Sequence, residues 1–136
     1  MNIVRPYTQI VERLKAAKLR PTRQRLALAK LLFERGDRHV TAEHLHADVI
    51  AAGIKVSLAT VYNSLHQFTG AGLLREVVVD SSRSYFDTNT ASHYHFFHEN
   101  TGVLEDIPVG DLTLGALPQP PENTTVERVD VIIRVR

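Results

Sequence analysis

At 136 residues, 43% hydrophobic and 23% charged, the chain can form one domain, or two small ones that lean on a partner, with a composition typical of globular proteins. No run approaches the roughly 18 apolar residues of a membrane span, and the start MNIVRPYTQI lacks a basic-then-apolar leader, so a cytoplasmic protein without a membrane segment is expected. The absence of cysteine excludes disulfides, thiol switches and any structural four-cysteine zinc, and leaves metal binding to His, Asp and Glu. The net charge of +1 conceals an asymmetry: residues 1–86 carry 13 Lys+Arg against 7 Asp+Glu, and residues 87–136 carry 3 against 8. A basic first part suits a polyanion, and an acidic, histidine-bearing second part suits a cation or self-association.

Apolar residues at Ile10, Val11, Leu14 and Ala17 predict a first amphipathic helix over Tyr7 to Ala17, followed by the basic connector Lys18-Leu19-Arg20-Pro21. Thr22 caps a second helix, Arg23 to Phe33, striped by Leu26, Ala29, Leu32, Phe33 and the stem of Lys30, and Gly36 ends it. Thr41 caps a third, Ala42 to Ala52, burying Leu45, Val49 and Ile50. Ser57 caps a fourth, in which Leu58, Val61, Leu65 and Phe68 form the apolar stripe. Its opposite face carries Ala59, Asn63, His66 and Gln67, flanked by Thr60 and Tyr62, side chains able to read base edges in a major groove.

Ala71 and Gly72 stop that helix, and Leu73 to Val79 and Ser84 to Asp87 read as two strands about the turn Asp80 to Arg83. Helices followed by a hairpin predict a winged helix-turn-helix. Lys18, Arg20, Arg23, Arg25 and Arg38 are then available to phosphates, and Arg83 stands at the wing tip beside a minor groove.

Thr88 to Ser92 is small and polar, a hinge. Beyond it, His93 to Glu99 and Gly102 to Ile107 predict paired strands, Asp111 to Leu117 at most a short helix, and Val126 to Val135 a closing strand. Val129, Val131, Ile133 and Val135 share one face of that strand. So small an element set needs a partner, most simply a twofold homodimer formed through these valines and Ile133. The fold class is therefore α+β: a winged-helix domain over 1–87, a hinge over 88–92, and a small α/β dimerisation and metal-sensing domain over 93–136.

His93 and His95, two apart on a strand, project from one face. Asp87 precedes the hinge, Asp106 lies on the neighbouring strand, and His39 sits in the loop entering the third helix. Five such ligands suit Fe²⁺ or Mn²⁺, with Zn²⁺ as a substitute. His44, His46, His66 and His98 read as surface or structural residues.

The segments Leu19-Arg20-Pro21-Thr22-Arg23-Gln24-Arg25, His39-Val40-Thr41-Ala42-Glu43, Ser57-Leu58-Ala59-Thr60-Val61-Tyr62, Tyr85-Phe86-Asp87 and His93-Tyr94-His95 resemble, in order and spacing, the ferric uptake regulator family. The resemblance implies operator DNA as partner, with Tyr62 a DNA contact and Arg20 a minor-groove residue. It also implies a regulatory metal site of His39, Asp87, His93, His95 and Asp106, most similar to the peroxide-sensing branch. His98 and Thr101 stand where the family carries its first C-x-x-C pair, and the shortened ending looks like the iron response regulator branch. That branch leaves haem open as a ligand, and a haem-delivering protein as a partner, although the chain has no Cys-Pro haem motif and His93-Tyr94-His95 in place of three consecutive histidines.

The expectation is a metal- or haem-responsive transcription regulator, with Arg20, Arg23, Ser57, Thr60, Tyr62, Asn63 and Arg83 on DNA. Its rivals are a peroxide sensor oxidised at His39 or His93, a DNA-binding protein with no sensor role, and a non-haem iron enzyme built on a two-histidine, one-carboxylate triad. The basic helical half weighs against an enzyme.

Overall fold

A computed structural model describes residues 8–136, so Tyr7, assigned above to the first helix, lies outside the described residues. They divide into two compact units, one reaching Thr90 and one spanning Ala91–Arg136. The first runs α1 (Thr8–Ala16), α2 (Arg23–Phe33), β1 (His39–Val40), α3 (Ala42–Ala51), α4 (Leu58–Gly70), β2 (Arg75–Asp80) and β3 (Arg83–Asp87).

Local chemistry sets the helix ends. Thr22, Thr41 and Ser57 stand in extended backbone, and each side-chain oxygen accepts the N–H three residues on, from Arg25, His44 and Thr60. Three helices close alike: the N–H groups of Leu19, Ile54 and Leu73 reach back to the carbonyls of Leu14, Val49 and Phe68 through a left-handed residue. That residue is Gly53 after α3 and Gly72 after α4, but Lys18, at φ 62°, after α1. There a Cβ is carried into a conformation that disfavours it by about 1 kcal/mol.

The core of this unit gathers Leu14 of α1, Leu28, Ala29 and Leu32 of α2, Leu45 and Val49 of α3, and Val61, Leu65 and Phe68 of α4 over Val40 and Phe86. Two stripes differ from the sequence reading. On α3, Ile50 is 51% exposed and Ala42 is buried instead, because Ala42, Leu45 and Val49 fall on one line at i, i+3 and i+7. On α2, Leu28 is at the centre while Leu26 and Phe33 are only half-buried. On α4 the buried set adds Ser64 to Val61, Leu65 and Phe68, with Leu58 at its edge.

The sheet of this unit has the order β1-β3-β2, antiparallel throughout. His39 is therefore strand, not loop. Its pairing partner lies far along the chain, in β3, where His39 stands opposite Asp87 and Val40 opposite Phe86. Two residues are too few to show a strand periodicity, so nothing local announced it. One sheet face turns Val40 and Phe86 into the helical core, and the other carries the row His39, Asp87, Arg75.

The second unit is a three-stranded sheet, β4 (His95–His98), β5 (Val103–Asp106) and β6 (Ile132–Val135), in the order β5-β4-β6. β5 runs antiparallel to β4 and β6 parallel to it, and Phe97, Leu104 and Ile107 are buried. The closing strand is shorter than expected. β4 begins at His95, opposite Ile132, so the residues before Val131 run past the end of their neighbour. Asp111 to Leu117 is irregular chain, not a short helix: the seven residues between Gly110 and Pro118 are too few to offset helix nucleation. Among the described residues, no helix is long and apolar enough to cross a membrane.

The packing predicts opposite outcomes for two aliphatic residues. Leu65→Ala should destabilise the first unit by about 2–5 kcal/mol, whereas Ile50→Ala should stay within about 0.5 kcal/mol, as measured by urea unfolding.

Candidate functional site

The outer face of α4 is open. Ala59, Tyr62, Asn63, His66 and Gln67 are exposed, and Thr60 is half-exposed. Between this face and the start of α2 lies a groove of about 420 Å³ lined by Arg20, Thr22, Gln24, Arg25, Thr60, Asn63, Ser64 and Gln67. Arg25 fixes its shape: Nη1 donates to the Arg20 carbonyl and Nη2 to Gln67 Oε1, both at 3.0 Å. Arg20 and Asn63, expected on DNA, thus share one groove. Arg23 lines a separate recess with Ile54 and Lys55.

Several side chains expected to reach DNA also do local work. Ser57 Oγ accepts from the Thr60 N–H at 3.1 Å and donates to Thr60 Oγ1 at 2.9 Å, so it serves the helix cap. Arg38 is a strut: its guanidinium donates to the Leu31 carbonyl and pairs with Asp48 at 3.1 Å. At the wing turn, Arg83 folds back so that Nε donates to Asp80 Oδ2 at 2.9 Å, while the Ser82 N–H and hydroxyl donate to Oδ1. The Arg83 guanidinium, with help from Ser82, holds the Asp80 carboxyl far below the usual carboxylate range.

Tyr62 Oη donates to Glu43 Oε1 at 2.8 Å. Sequence reasoning missed Glu43, because a contact between the first turn of α3 and the middle of α4 leaves no mark in either helix's periodicity. The carboxylate accepting its proton, together with partial burial, raises the Tyr62 phenol above its ordinary value. Tyr62 also stacks on His66 at 6.4 Å, and His66 meets the buried Phe86 edge-on at 5.5 Å. His66 and His46, whose Nε2 lies 3.0 Å from the Val56 carbonyl, are therefore packing residues as well as surface ones.

Each unit also presents histidine opposite aspartate on neighbouring antiparallel strands. In the first, His39 faces Asp87, a buried carboxylate whose Oδ1 accepts the Asn89 N–H at 2.9 Å. Directly opposed residues put their side chains on the same sheet face, with Cβ atoms about 4.5–5.5 Å apart. In the second, His95 faces Asp106, and His93 joins them: Nε2 of His95 and of His93 lie 3.3 and 3.4 Å from the same Asp106 Oδ1. His93 Nδ1 lies 2.6 Å from the Ala91 carbonyl, which can only accept, so Nδ1 carries the proton and Nε2 of the neutral ring offers a lone pair. An imidazole anchored by its other nitrogen to a carbonyl is the usual setting of a metal-ligating histidine, and this donor set fits a borderline or hard divalent ion. His98, on the opposite face of β4, lies 3.6 Å from Glu105.

Three capped helices, an exposed polar helix face and a β2–β3 wing define a winged helix-turn-helix protein. The profile of the ferric uptake regulator family matches residues 16–115. The chain is 33% identical over 105 residues to a peroxide-responsive repressor, PerR, of Staphylococcus aureus, covering 77% of this chain and 70% of that one. In fold it is similar to the ferric uptake regulator of Pseudomonas aeruginosa with manganese, with a TM-score of 0.68 and 24% identity over 92% of this chain and 95% of that one. It is also similar to that of Vibrio cholerae, with a TM-score of 0.73 and 22% identity over 93% and 98%. The chain belongs to the ferric uptake regulator family, and is a metal-responsive, DNA-binding transcription regulator.

The wing turn should be insensitive to pH across the neutral range. The folded Asp80 carboxyl titrates below the unfolded value of about 3.9, so its contribution is present above that pH and is lost only as acid approaches the depressed folded value. Carboxyl NMR of Asp80 should show no titration down to about pH 3, and Arg83→Ala should return its midpoint toward the ordinary value.

Proposed function

We propose that this chain is a homodimeric repressor that grips duplex operator DNA through α4 and couples its grip to a divalent cation, Fe²⁺ or Mn²⁺, for which Zn²⁺ can substitute. The supporting observation is the repeated cross-strand pair: His39 with Asp87 in one unit, and His95 with Asp106, joined by His93, in the other. These residues would hold the ion, whose positive charge would offset their carboxylates.

In this reading the chain up to Asp87 binds DNA, residues 88–92 are the hinge, and residues 93–136 sense the ion and form the dimer. Arg20 and Arg23 meet phosphates. Thr60, Tyr62 and Asn63 meet base edges, with Ser57 beside them, and Arg83 exchanges Asp80 for the minor groove. Val129, Val131, Ile133 and Val135 cover one another across the dimer axis, Ile133 being 37% exposed in the single chain. In this reading, occupancy of these residues by the ion would raise operator affinity by linkage.

Similarity to a peroxide-responsive repressor favours a second reading, in which bound iron and peroxide oxidise His39 or His93 and release the DNA. Mass spectrometry of the iron-loaded protein after peroxide should then find an added oxygen on one of these residues, and an unmodified protein removes this reading.

Chelation should abolish operator binding in a gel-shift assay, and Mn²⁺ should restore it. His95→Ala and Asp87→Ala should each weaken Mn²⁺ binding by more than the roughly 10- to 100-fold typical of outer-shell changes, and His98→Ala should not. Operator affinity unaffected by chelator would overturn the proposal, and haem retained in place of a divalent ion would reassign the ligand.

A further inference from the structure

On the exposed face of α4, Tyr62 is fixed by a partner on α3, as Gln67 is by Arg25 of α2. Glu43, in the first turn of α3, accepts the phenolic proton of Tyr62 at 2.8 Å, across 19 residues of chain. The phenol ring is held from its other side by His66, which rests on Phe86 in the core. Tyr62 nevertheless remains 36% exposed, so the ring is immobilised and still available.

A phenol has one O–H to donate and two lone-pair positions with which to accept. With the proton committed to a carboxylate, only acceptor capacity remains at the oxygen. We propose that Glu43 is a positioning and specificity-determining residue for DNA recognition: it holds Tyr62 as a hydrogen-bond acceptor toward the groove. Such an oxygen is satisfied by the amino groups of adenine N6 or cytosine N4. It is not satisfied by guanine O6 and N7 or by thymine O4, which also only accept. The inference rests on α4 being the recognition helix. Glu43 also sets a negative charge beside the phosphates, which lowers affinity for every sequence alike while raising discrimination.

The test uses the full chain with Mn²⁺ supplied and a duplex selected from random sequence by the wild-type protein, each base pair then replaced in turn. Tyr62→Phe should lose about fivefold of the preference for an amino-bearing base at one position, the worth of one hydrogen bond. Glu43→Ala should lose the same preference at the same position. Glu43→Gln, whose amide oxygen still accepts the phenolic proton, should keep that preference. It should bind all duplexes about threefold more tightly at low salt, a gain that fades as salt rises. Glu43→Gln also guards against misfolding, since it preserves the shape of the α3 start, and thermal melting of each variant checks the fold. A wild-type base preference in Glu43→Ala, with the preference lost in Tyr62→Phe, would overturn the role of Glu43 and leave α4 as the reader. Preference lost in Glu43→Gln would overturn it equally. An unchanged preference in Tyr62→Phe would instead remove the assignment of this face to base reading, and with it the need for a positioning residue.

Discussion

Two residues of backbone pairing, His39–Val40 against Phe86–Asp87, join the wing to the helices, and the rest of the first unit depends on them. Val40 and Phe86 belong to the buried core of the helices, so the hairpin cannot swing away without exposing part of that core. One backbone bond, from the Thr88 N–H to the Arg38 carbonyl, with the Thr88 hydroxyl accepting the Arg38 N–H at 2.9 Å, adds a rung beyond the strand ends. The same pairing sets His39 opposite Asp87 on the other face. One short ladder thus serves the core on one side and sets a histidine opposite a carboxylate on the other, because strand alternation separates the two faces by a single residue.

The helical half of the fold was legible because its signals are local. Thr22, Thr41 and Ser57 mark helix starts, Gly72 marks an end, and the stripe Val61, Leu65, Phe68 identifies the buried side of α4. The errors arose where the determinant is non-local. Ile50 looked buried by its chemistry, but only the direction of packing of α3 against its neighbours decides that Ala42 faces inward. β1 is too short to have a period, and the length of β6 is set by where β4 begins. His93, His95 and Asp106 were legible as a set from their spacing and strand pairing, and the anchoring of His93 by the Ala91 carbonyl was not. Glu43 carried no sequence signal as the partner of Tyr62.

The charges of the first unit separate into two kinds. Arg38 and Asp48, or Arg83 and Asp80, satisfy each other and shape loops. Arg20 and Arg23 line open recesses, where a cation remains available to a polyanion. A count of basic residues therefore overstates the surface offered to DNA, since part of the positive charge is already neutralised within the fold. A similar economy holds at the α4 start, where Ser57 spends both its donor and one acceptor site on Thr60.

Arg25 ties the loop before α2 to Gln67, late in α4, through one guanidinium. The tilt of α4 is consequently written partly in a different helix. Two paralogues with identical letters from Ser57 to Gln67 but a different residue at position 25 would settle this helix at different angles and, with α4 as the proposed reader, would drift toward different promoters without a substitution at the nucleic-acid surface.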